Sequence, residues 1–514
     1  MISFALSFVA LLLGYLIYGK VVERIARPTD APTPATRLAD GVDYVAMPAW
    51  RVFMIQFLNI AGTGPIFGAI MGMWFGPAAY LWIVLGCIFA GAVHDFFCGI
   101  LSVRHDGATL PVIVGEYLGR PVQRLMLVFT VLLLLVVGVV FVYSPAIILS
   151  NMVGDRVTWI LAIFAYYVLA TLLPIDKLIG KLYPLFAASL LFMAGALMVM
   201  LVVKMPDLPE VWDIGGMESW LTQKGAEGQA MLGVGAFLKK NPLFPCLFIT
   251  IACGAISGFH ATQGPLMARC LQNEHMARPI FYGAMITEGL VALVWAAVSS
   301  YFFFYGGWRE VVPEETVTAF LSQYGTGEGK TLIQYFSAPD VVKLVCSGWL
   351  GFAGGMLAIL GVVAAPITSG DTAFRSARVI LAEFLHLPQR EVKNRLYLAI
   401  PTFALAFMLL MWQVNNPDGF NSLWQYFGWS NQSITVFTLW AMTVYLARQR
   451  RNYMITLVPA VFMTVVCSVF AVVSPLLLGL SQGLIPVVSA VVALASVCWF
   501  VLWLRRERVG KARS

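Results

Sequence analysis

Apolar runs of about 20 residues, the length needed to cross the hydrocarbon of a bilayer, recur along this chain from one end to the other. Of its 514 residues 60% are hydrophobic and only 11% are charged, too little charge to clothe a water-soluble surface of that size. In hydrocarbon every backbone amide and carbonyl must find its partner within the protein, so only helices and closed barrels can span. Continuous apolar runs, rather than alternating ones, specify helices. The expected fold is all-α and polytopic. About thirteen transmembrane helices fall near residues 2–19, 50–74, 78–102, 122–150, 157–174, 182–203, 243–261, 278–305, 341–364, 396–412, 423–446, 453–473 and 483–504.

The charged residues fall between these runs. Strict alternation places seven connecting segments on one face: those with Lys20, Arg24, Arg27 and Arg37; Arg104, Arg120 and Arg124; Lys177 and Lys181; Arg269 and Arg278; Arg375, Arg378, Arg390, Lys393 and Arg395; Arg448, Arg450 and Arg451; and the tail from Arg505 to Arg513. The positive-inside rule then predicts an N-terminus outside and a C-terminus in the cytoplasm. On this reading the net charge of +7 reports orientation and membrane lipid, not a nucleic-acid partner. The first run has no Lys or Arg before it, and Lys20, Glu23 and Arg24 follow it, which predicts a retained helix and not a cleaved signal. The long connections at 204–242 and 306–340 carry acids as well as bases (Asp207, Glu210, Asp213, Glu310, Glu314, Glu315) and are expected outside. Eight cysteines, mostly within apolar segments, lack metal-ligand spacing and read as small packing residues.

Two runs carry helix breakers. The second contains Asn59-Ile-Ala61-Gly62-Thr63-Gly64-Pro65, and the seventh ends in Gly254-Ala-Ile-Ser257-Gly258-Phe-His260-Ala-Thr-Gln-Gly264-Pro265. Gly and Pro free backbone groups from the helical ladder, which lipid tolerates only where the chain faces protein or a water-filled cavity. Tight packing by small residues is the plainer reading of either break alone. Together they lie five spans apart, and an odd offset inverts one against the other. That spacing predicts two inverted five-helix repeats, 50–203 and 243–446, joined by 204–242 and flanked by 1–49 and 447–514. Paired breaks in inverted halves point to a binding site at the bilayer midplane.

Polar residues inside spans need a reason, since an acidic or basic group there costs about 2.5–3.5 kcal/mol by insertion scales. His94 and Asp95 lie in the third span, Glu288 in the eighth and Asp371 just past the ninth, while Asn431 and Gln432 interrupt the eleventh. Plainer roles are an Asp371–Arg375 pair one helical turn apart, an Asp95–Arg104 pair, and interhelical hydrogen bonds for His94, Asn431 and Gln432. Thr368 and Ser369 fall on the eighth helix of the proposed ten-helix core. By analogy with the leucine-transporter fold, that helix pairs with the first, broken core helix to hold sodium. Their hydroxyls, facing carbonyls around Ala61 to Gly64, would suit such a cation. A proton on Asp95, Glu288 or Asp371 is the competing coupling ion.

Several stretches then resemble one family. Asp40-Gly-Val-Asp43-Tyr-Val, Ala61-Gly-Thr-Gly-Pro-Ile, Gly91-Ala-Val-His-Asp-Phe, Ser102-Val-Arg-His-Asp-Gly107, Ile251-Ala-Cys-Gly-Ala-Ile-Ser-Gly-Phe-His260, Ile367-Thr-Ser-Gly-Asp-Thr-Ala-Phe-Arg-Ser-Ala-Arg378 and Phe427-Gly-Trp-Ser-Asn-Gln432 are similar to the carbon starvation protein A family of bacterial peptide or pyruvate carriers. The resemblance implies a multi-pass protein of the bacterial inner membrane, an inverted-repeat core related to amino-acid carriers, and starvation-linked uptake. It lends weight to Asp95, His260, Asp371, Asn431 and Gln432 as core positions. Ala261-Thr-Gln263-Gly-Pro departs from the more Ser- and Thr-rich pattern of the family, which bears on the ligand.

Other classes fit less well. The histidines number five and are scattered, without zinc-protease spacing, which disfavours an enzyme. No Gly-x-x-x-x-Gly-Lys-[Ser/Thr] loop is present to bind ATP, paired inverted breaks favour a carrier over an ion channel, and a transporter-like sensor remains an alternative for which no soluble signalling domain is evident. The expectation is an ion-coupled carrier of a small molecule, without a cofactor and with its oligomeric state open. Gly62, Thr63, Gly64, Pro65, Ser257, Gly258, His260, Asn431 and Gln432 would face substrate. Ala61, Thr368, Ser369, Asp95, Glu288 and Asp371 would handle H+ or Na+.

Overall fold

A computed structural model describes residues 1–150, 153–172, 175–212, 231–325, 330–389, 391–416 and 419–513. The expectations for Asp213 and Arg390, and for the side chains of Lys177, Lys181, Lys511 and Arg513, lie outside what is described. Among the described residues the regular structure is helical throughout. In chain order the main elements are α1 (Ile2–Ala26), a bent pair α2 (Ala49–Ile60) and α3 (Gly64–Phe75), α4 (Ala78–Arg104) and α5 (Arg120–Ser150). Next come α6 (Arg156–Leu172), α7 (Ile175–Lys204), α8 (Leu243–Thr250) and α9 (Gly258–Ala268). They are followed by α10 (Glu274–Phe304), α11 (Ala338–Phe384), α12 (Val392–Asn415), α13 (Gly419–Arg448), α14 (Met454–Val473) and α15 (Gln482–Arg508).

Nine helices among the described residues are long and apolar enough to span a membrane, and α2 with α3 makes a tenth. The protein is thus a multi-pass, all-helical membrane protein. Two expectations about the spans are corrected. The ninth span does not stop near 364: α11 runs 47 residues to Phe384, bending only at Gly351 (φ 65°). Asp371 therefore sits inside a buried helix and not past its end. Nor do Asn431 and Gln432 interrupt the eleventh span, since α13 passes through both.

The first break falls where Gly and Pro cluster; the second falls around Gly254, while Gly264 and Pro265, expected to break the chain as well, lie within α9. α2 and α3 meet at 46° across residues 61–63, and Pro65 sits in the first turn of α3, where its missing N–H costs nothing. Residues 251–257 separate α8 from α9. The two breaks pack against one another: a Cβ on Gly64 would come 2.4 Å from Cys253 Sγ, and one on Gly68 would come 2.9 Å from the Thr250 carbonyl.

Backbone groups freed by breaks, prolines and wide turns are taken up by side chains of neighbouring helices. Trp82 Nε1 donates to Ile251 O (2.9 Å) and Gln432 Nε2 to Phe248 O (3.0 Å). Pro145 within α5 removes the donor for the Phe141 carbonyl four residues earlier, and the Tyr167 hydroxyl supplies one at 3.0 Å. Helices α1, α4 and α10 each contain one π turn, at Gly14–Tyr18, Cys87–Gly91 and Arg278–Tyr282. These turns meet where the Tyr282 hydroxyl reaches Ile88 O (3.1 Å) and Gly14 O (3.5 Å).

The basic segments gather at one end of the bundle. There Arg104 pairs with Glu274 (2.7 Å) and donates to Ala26 O, Arg27 O and Tyr445, and Arg451 donates to Ala26 O. At the opposite end Glu210 accepts from the Ser3 amide (2.7 Å) and Lys204 pairs with Glu310 (2.8 Å).

Gly91 reports on the central packing, because a Cβ there would lie 2.2 Å from the Ala255 carbonyl oxygen, a backbone atom that cannot swing away. Gly91→Ala should destabilise the protein by about 1–3 kcal/mol, the usual range for overpacking. Gly195→Ala, at a position with open space around it, should not. Thermal unfolding of both variants in detergent checks this, and equal midpoints would contradict the contact between α4 and the second break.

Candidate functional site

At the second break, Ser257 precedes α9 in extended conformation, and its hydroxyl does not cap the helix. Asn431 of α13 does so from across the bundle. Its Oδ1 accepts from the Phe259 amide (2.6 Å) and the Ser257 hydroxyl (3.1 Å). The N-terminus of α9 thus has one of its orphan amides satisfied by another helix. Gly258 is required there, since a Cβ would meet the Asn431 carbonyl at 2.2 Å.

One helical turn into α9, His260 lies between two carboxyl groups. Its Nδ1 is 2.8 Å from Asp95 Oδ2 and its Nε2 is 3.4 Å from Glu288 Oε2. The other Asp95 oxygen is 2.9 Å from His94 Nδ1, and His94 Nε2 is 2.7 Å from the Thr438 hydroxyl. The Thr438 hydroxyl also lies 3.1 Å from the Ile434 and Thr435 carbonyls of its own helix. The result is a continuous line Glu288–His260–Asp95–His94–Thr438 drawn from α10, α9, α4 and α13. All five residues are buried. Neither Glu288 oxygen nor His260 Nε2 has a hydrogen bond of good geometry, so the Glu288 end is the unsatisfied end of the line. Cys253 Sγ joins it: single ligand atoms of Cys253, His260 and Glu288 lie within 4.8 Å of one another. A thiolate, an imidazole and a carboxylate form a donor set able to take a borderline divalent cation. Cys253, read from the sequence as a packing residue, thus lies beside two potential ligands.

The first break gathers a second polar group. Ala61, Gly62 and Thr63 form the bend, and Gly64 and Pro65 begin α3; all are buried. Ser369 of α11 donates to Leu58 O (3.2 Å) and Asn59 O (3.0 Å), one turn earlier than the expected carbonyls around Ala61 to Gly64. The Thr368 hydroxyl bonds to its own helix, at Ala364 O and Ala365 O (both 2.9 Å). Both polar atoms of the Asn59 side chain, Thr63 Oγ1 and Gln56 Oε1 are buried without hydrogen-bond partners.

The plain pairings expected for two acids do not form. Asp95 does not pair with Arg104, which is taken by Glu274. Asp371 does not pair with Arg375: its Oδ2 accepts from the Tyr183 hydroxyl of α7 (2.6 Å), and Arg375 donates to Ala170 O (2.8 Å). Asp371 thus stands apart from the line through His260. The structure brings Ser257, Gly258, His260, Asp95, Glu288 and Asn431 together, and separately Ala61, Gly62, Thr63 and Ser369. Gln432 belongs to the scaffold through Phe248. Sequence reasoning missed Asn59, Cys253, Tyr183 and Thr438 as members of these groups. Only Asn59, a polar residue next to the Gly-rich bend, carried a usable signal.

Removing the Asn431 amide should leave the Phe259 N–H and the Ser257 hydroxyl without their acceptor. Asn431→Ala is expected to lower stability by about 1–3 kcal/mol, measured by denaturation in detergent. Stability equal to wild type would mean that the break is capped in another way.

Comparison with known proteins completes the description. The sequence matches the family model described as Carbon starvation protein CstA over residues 1–147, 136–319 and 341–470. It is 26% identical over 575 residues to the peptide transporter CstA of Escherichia coli, covering 90% of this chain and 79% of that protein. It is also 26% identical over 556 residues to the pyruvate/proton symporter BtsT of E. coli, covering 86% and 76%. A membrane protein of Haemophilus influenzae is 45% identical over 347 residues, 59% of this chain and 91% of that one. Among solved structures, the fold resembles a manganese transporter of Eremococcus coleocola (TM-score 0.54, 13% identity, 91% of this chain and 99% of that one). It also resembles a Na+-coupled sialic acid symporter (TM-score 0.52, 14% identity, 96% of each chain). The chain belongs to the carbon starvation protein CstA family.

Proposed function

We propose that this protein is a proton-coupled secondary carrier that takes up a short peptide or a small carboxylate such as pyruvate across the bacterial inner membrane, and that it is neither an enzyme nor a channel. The observation that carries the reading is the buried line Glu288–His260–Asp95–His94–Thr438, anchored on the break between α8 and α9. Family relatives described as a peptide transporter and a pyruvate/proton symporter supply the substrate classes. Starvation-linked expression is part of the same proposal.

The architecture we propose has thirteen spans, with a core of two inverted five-helix repeats, as in the leucine-transporter fold. The bent pair α2–α3 opens the first repeat and the broken pair α8–α9 the second. In support, α4 and α10, the helices that follow the two breaks, each carry a π turn and one acid of the buried line. The N-terminus would lie outside. The end that holds Arg104, Arg451 and Glu274 would face the cytoplasm, by its wealth of basic residues.

The line divides the work. With Asp95 accepting from both imidazoles, each Nδ1 carries its hydrogen and His260 Nε2 is left to face Glu288. A proton placed between Glu288 and His260 Nε2 changes by one the charge of a cluster closed to water. Such a change is costly in a dry interior and is relieved when the helices part. Because Asn431 ties the α9 N-terminus to α13, motion at His260 is passed directly to the break, where substrate would be held by half-helix ends and by the unpartnered polar atoms of Asn59 and Thr63. We propose no cofactor. Sodium is the weaker reading, because the Ser369 hydroxyl already serves the carbonyls of 58 and 59 and Thr368 those of its own helix.

Uptake of labelled pyruvate and of a labelled dipeptide into proteoliposomes tests this, with an imposed proton gradient, a sodium gradient or neither. One substrate should accumulate under the proton gradient. Glu288→Gln should lose at least about tenfold of that accumulation yet still exchange substrate across the membrane at equilibrium. Glu288→Gln accumulating as wild type does would remove Glu288 from the coupling path. Accumulation on sodium alone would return the role to the Ser369 region, and ion leak without accumulation would favour a channel.

A further inference from the structure

Three of the segments that carry the family resemblance meet away from the buried line, at the end of the bundle where α1 hands over to α2. Asp43, on the irregular segment before α2, is surrounded by arginines. Its Oδ1 is 3.5 Å from Arg378 Nη2 and 3.9 Å from Arg375 Nη1, both from α11. Arg269, following α9, stacks on Tyr44 (4.9 Å from the ring centre) and donates Nε to the Gly107 carbonyl (2.8 Å). Arg395, at the start of α12, adds a fourth positive charge to the field at Asp43. All four arginines and Asp43 are buried.

The charges do not balance. Asp43 meets Arg375 and Arg378 loosely, at distances longer than the roughly 2.7–2.9 Å of a good charge-assisted bond, and Asp371, the other acid whose charge reaches these two arginines, is hydrogen-bonded to Tyr183. Arg375 spends one nitrogen on Ala170 O, and Arg378 spends one on Gln389. Arg375 Nε, Arg375 Nη1 and Arg378 Nε have no hydrogen-bond partner, although both side chains are almost wholly buried. The nearby acids are engaged elsewhere: Asp40 accepts from the amides of Val42, Asp43 and Tyr44, and Glu383 from that of Thr109. Burial alone would push the Asp43 carboxyl up. Arg378, Arg375, Arg269 and Arg395, in that order, outweigh burial and hold it below the usual carboxylate range.

We propose that Arg269, Arg375 and Arg378, with Asp43 seated among them, form a binding site for a small carboxylate anion, which takes up the guanidinium N–H groups that Asp43 leaves free and competes with it for the rest. Asp43 shows that a carboxylate is accommodated at this place. The forked, planar guanidinium is the group best matched to grip one with two parallel bonds. Arg375 lies six residues beyond Ser369 on the same helix, about 9 Å along its axis at 1.5 Å per residue, so the site is separate from both helix breaks. It joins the segment before α2 to α11 through Asp43.

Equilibrium binding tests this without any ion gradient, so its outcome is independent of the transport assay. Purified protein in nanodiscs of zwitterionic lipid is titrated with sodium acetate, pyruvate, phosphate or chloride at matched ionic strength, and the midpoint of thermal unfolding is followed by tryptophan fluorescence. Acetate and pyruvate should raise the midpoint saturably, and chloride should not. Asp43→Asn, which removes the competing charge while keeping the shape, should lower the half-saturating carboxylate concentration roughly tenfold. Arg375→Gln should abolish the response, and the shift in half-saturation of Asp43→Asn carries the decision. An unchanged half-saturation in Asp43→Asn would overturn the proposal, as would a uniform response to all four anions or tighter binding of phosphate than of either carboxylate. Equal responses to acetate and pyruvate would identify a general carboxylate site, and a response confined to pyruvate would identify the transported substrate as its occupant; either supports the proposal.

Discussion

A bilayer offers no water to a backbone amide or carbonyl, and the side-chain chemistry of this protein is arranged around that deficit. Each place where a helix is interrupted leaves backbone groups that must be satisfied from elsewhere. Trp82 and Gln432 serve the carbonyls at the end of α8, Asn431 the amide at the start of α9, Ser369 the carbonyls before the first bend, and Tyr167 the carbonyl that Pro145 strips of its partner. Each of these bonds joins two different helices. The interruptions thus fix which helices are neighbours, and the polar groups that line the centre are held in place by the backbone defects they repair.

The buried acids follow the same logic at higher stakes. Asp95 meets two imidazoles, and His260 lies between Asp95 and Glu288, so both carboxyl groups are placed by one residue on the second broken helix. Only the Glu288 end lacks good hydrogen bonds. An imbalance confined to one end is what a group that gains and loses a proton requires; a chain satisfied throughout would be a strut. Asp371, capped by Tyr183 on α7, is a separate element, and α11 links it in one rigid piece to Ser369 on one side and to the arginines on the other.

Two charge clusters at the end of the bundle where α1 terminates differ in how they are paired. Where Arg104 meets Glu274, ion pairs are short and their hydrogen bonds run to several helices. Around Asp43, Arg375 and Arg378 reach the carboxylate only at long distances, and guanidinium nitrogens of both are left without hydrogen bonds. Burying such an excess costs more than pairing it. A place where that cost is tolerated is a natural place for an anion to bind.

Much of this was legible in the sequence. The apolar runs fix an all-helical membrane protein, because nothing else lets runs of that composition satisfy their backbone in lipid. Gly62 to Gly64 mark the first break and Gly254 to Gly258 the second, because Gly acts on the local chain and needs no partner to do so, whereas Gly264 and Pro265 are carried within α9. The segments quoted for the family resemblance lead to the same family that the whole-chain comparison gives. What stayed hidden was pairing. Asp371 and Arg375 are one turn apart and invite a bridge, yet Tyr183, nearly two hundred residues away in sequence, takes the acid. Cys253 reads as packing until His260 and Glu288 are brought to it. Asp43 and Arg378 are plain loop and helix-end charges until the fold buries them together. The sequence by itself determined that the chain is an all-helical, multi-pass membrane protein and where its two Gly-rich breaks begin, since those depend on local composition and backbone geometry. Only the tertiary structure decided which polar side chains share a site, because a hydrogen bond between helices depends on distance in space and leaves no spacing along the chain.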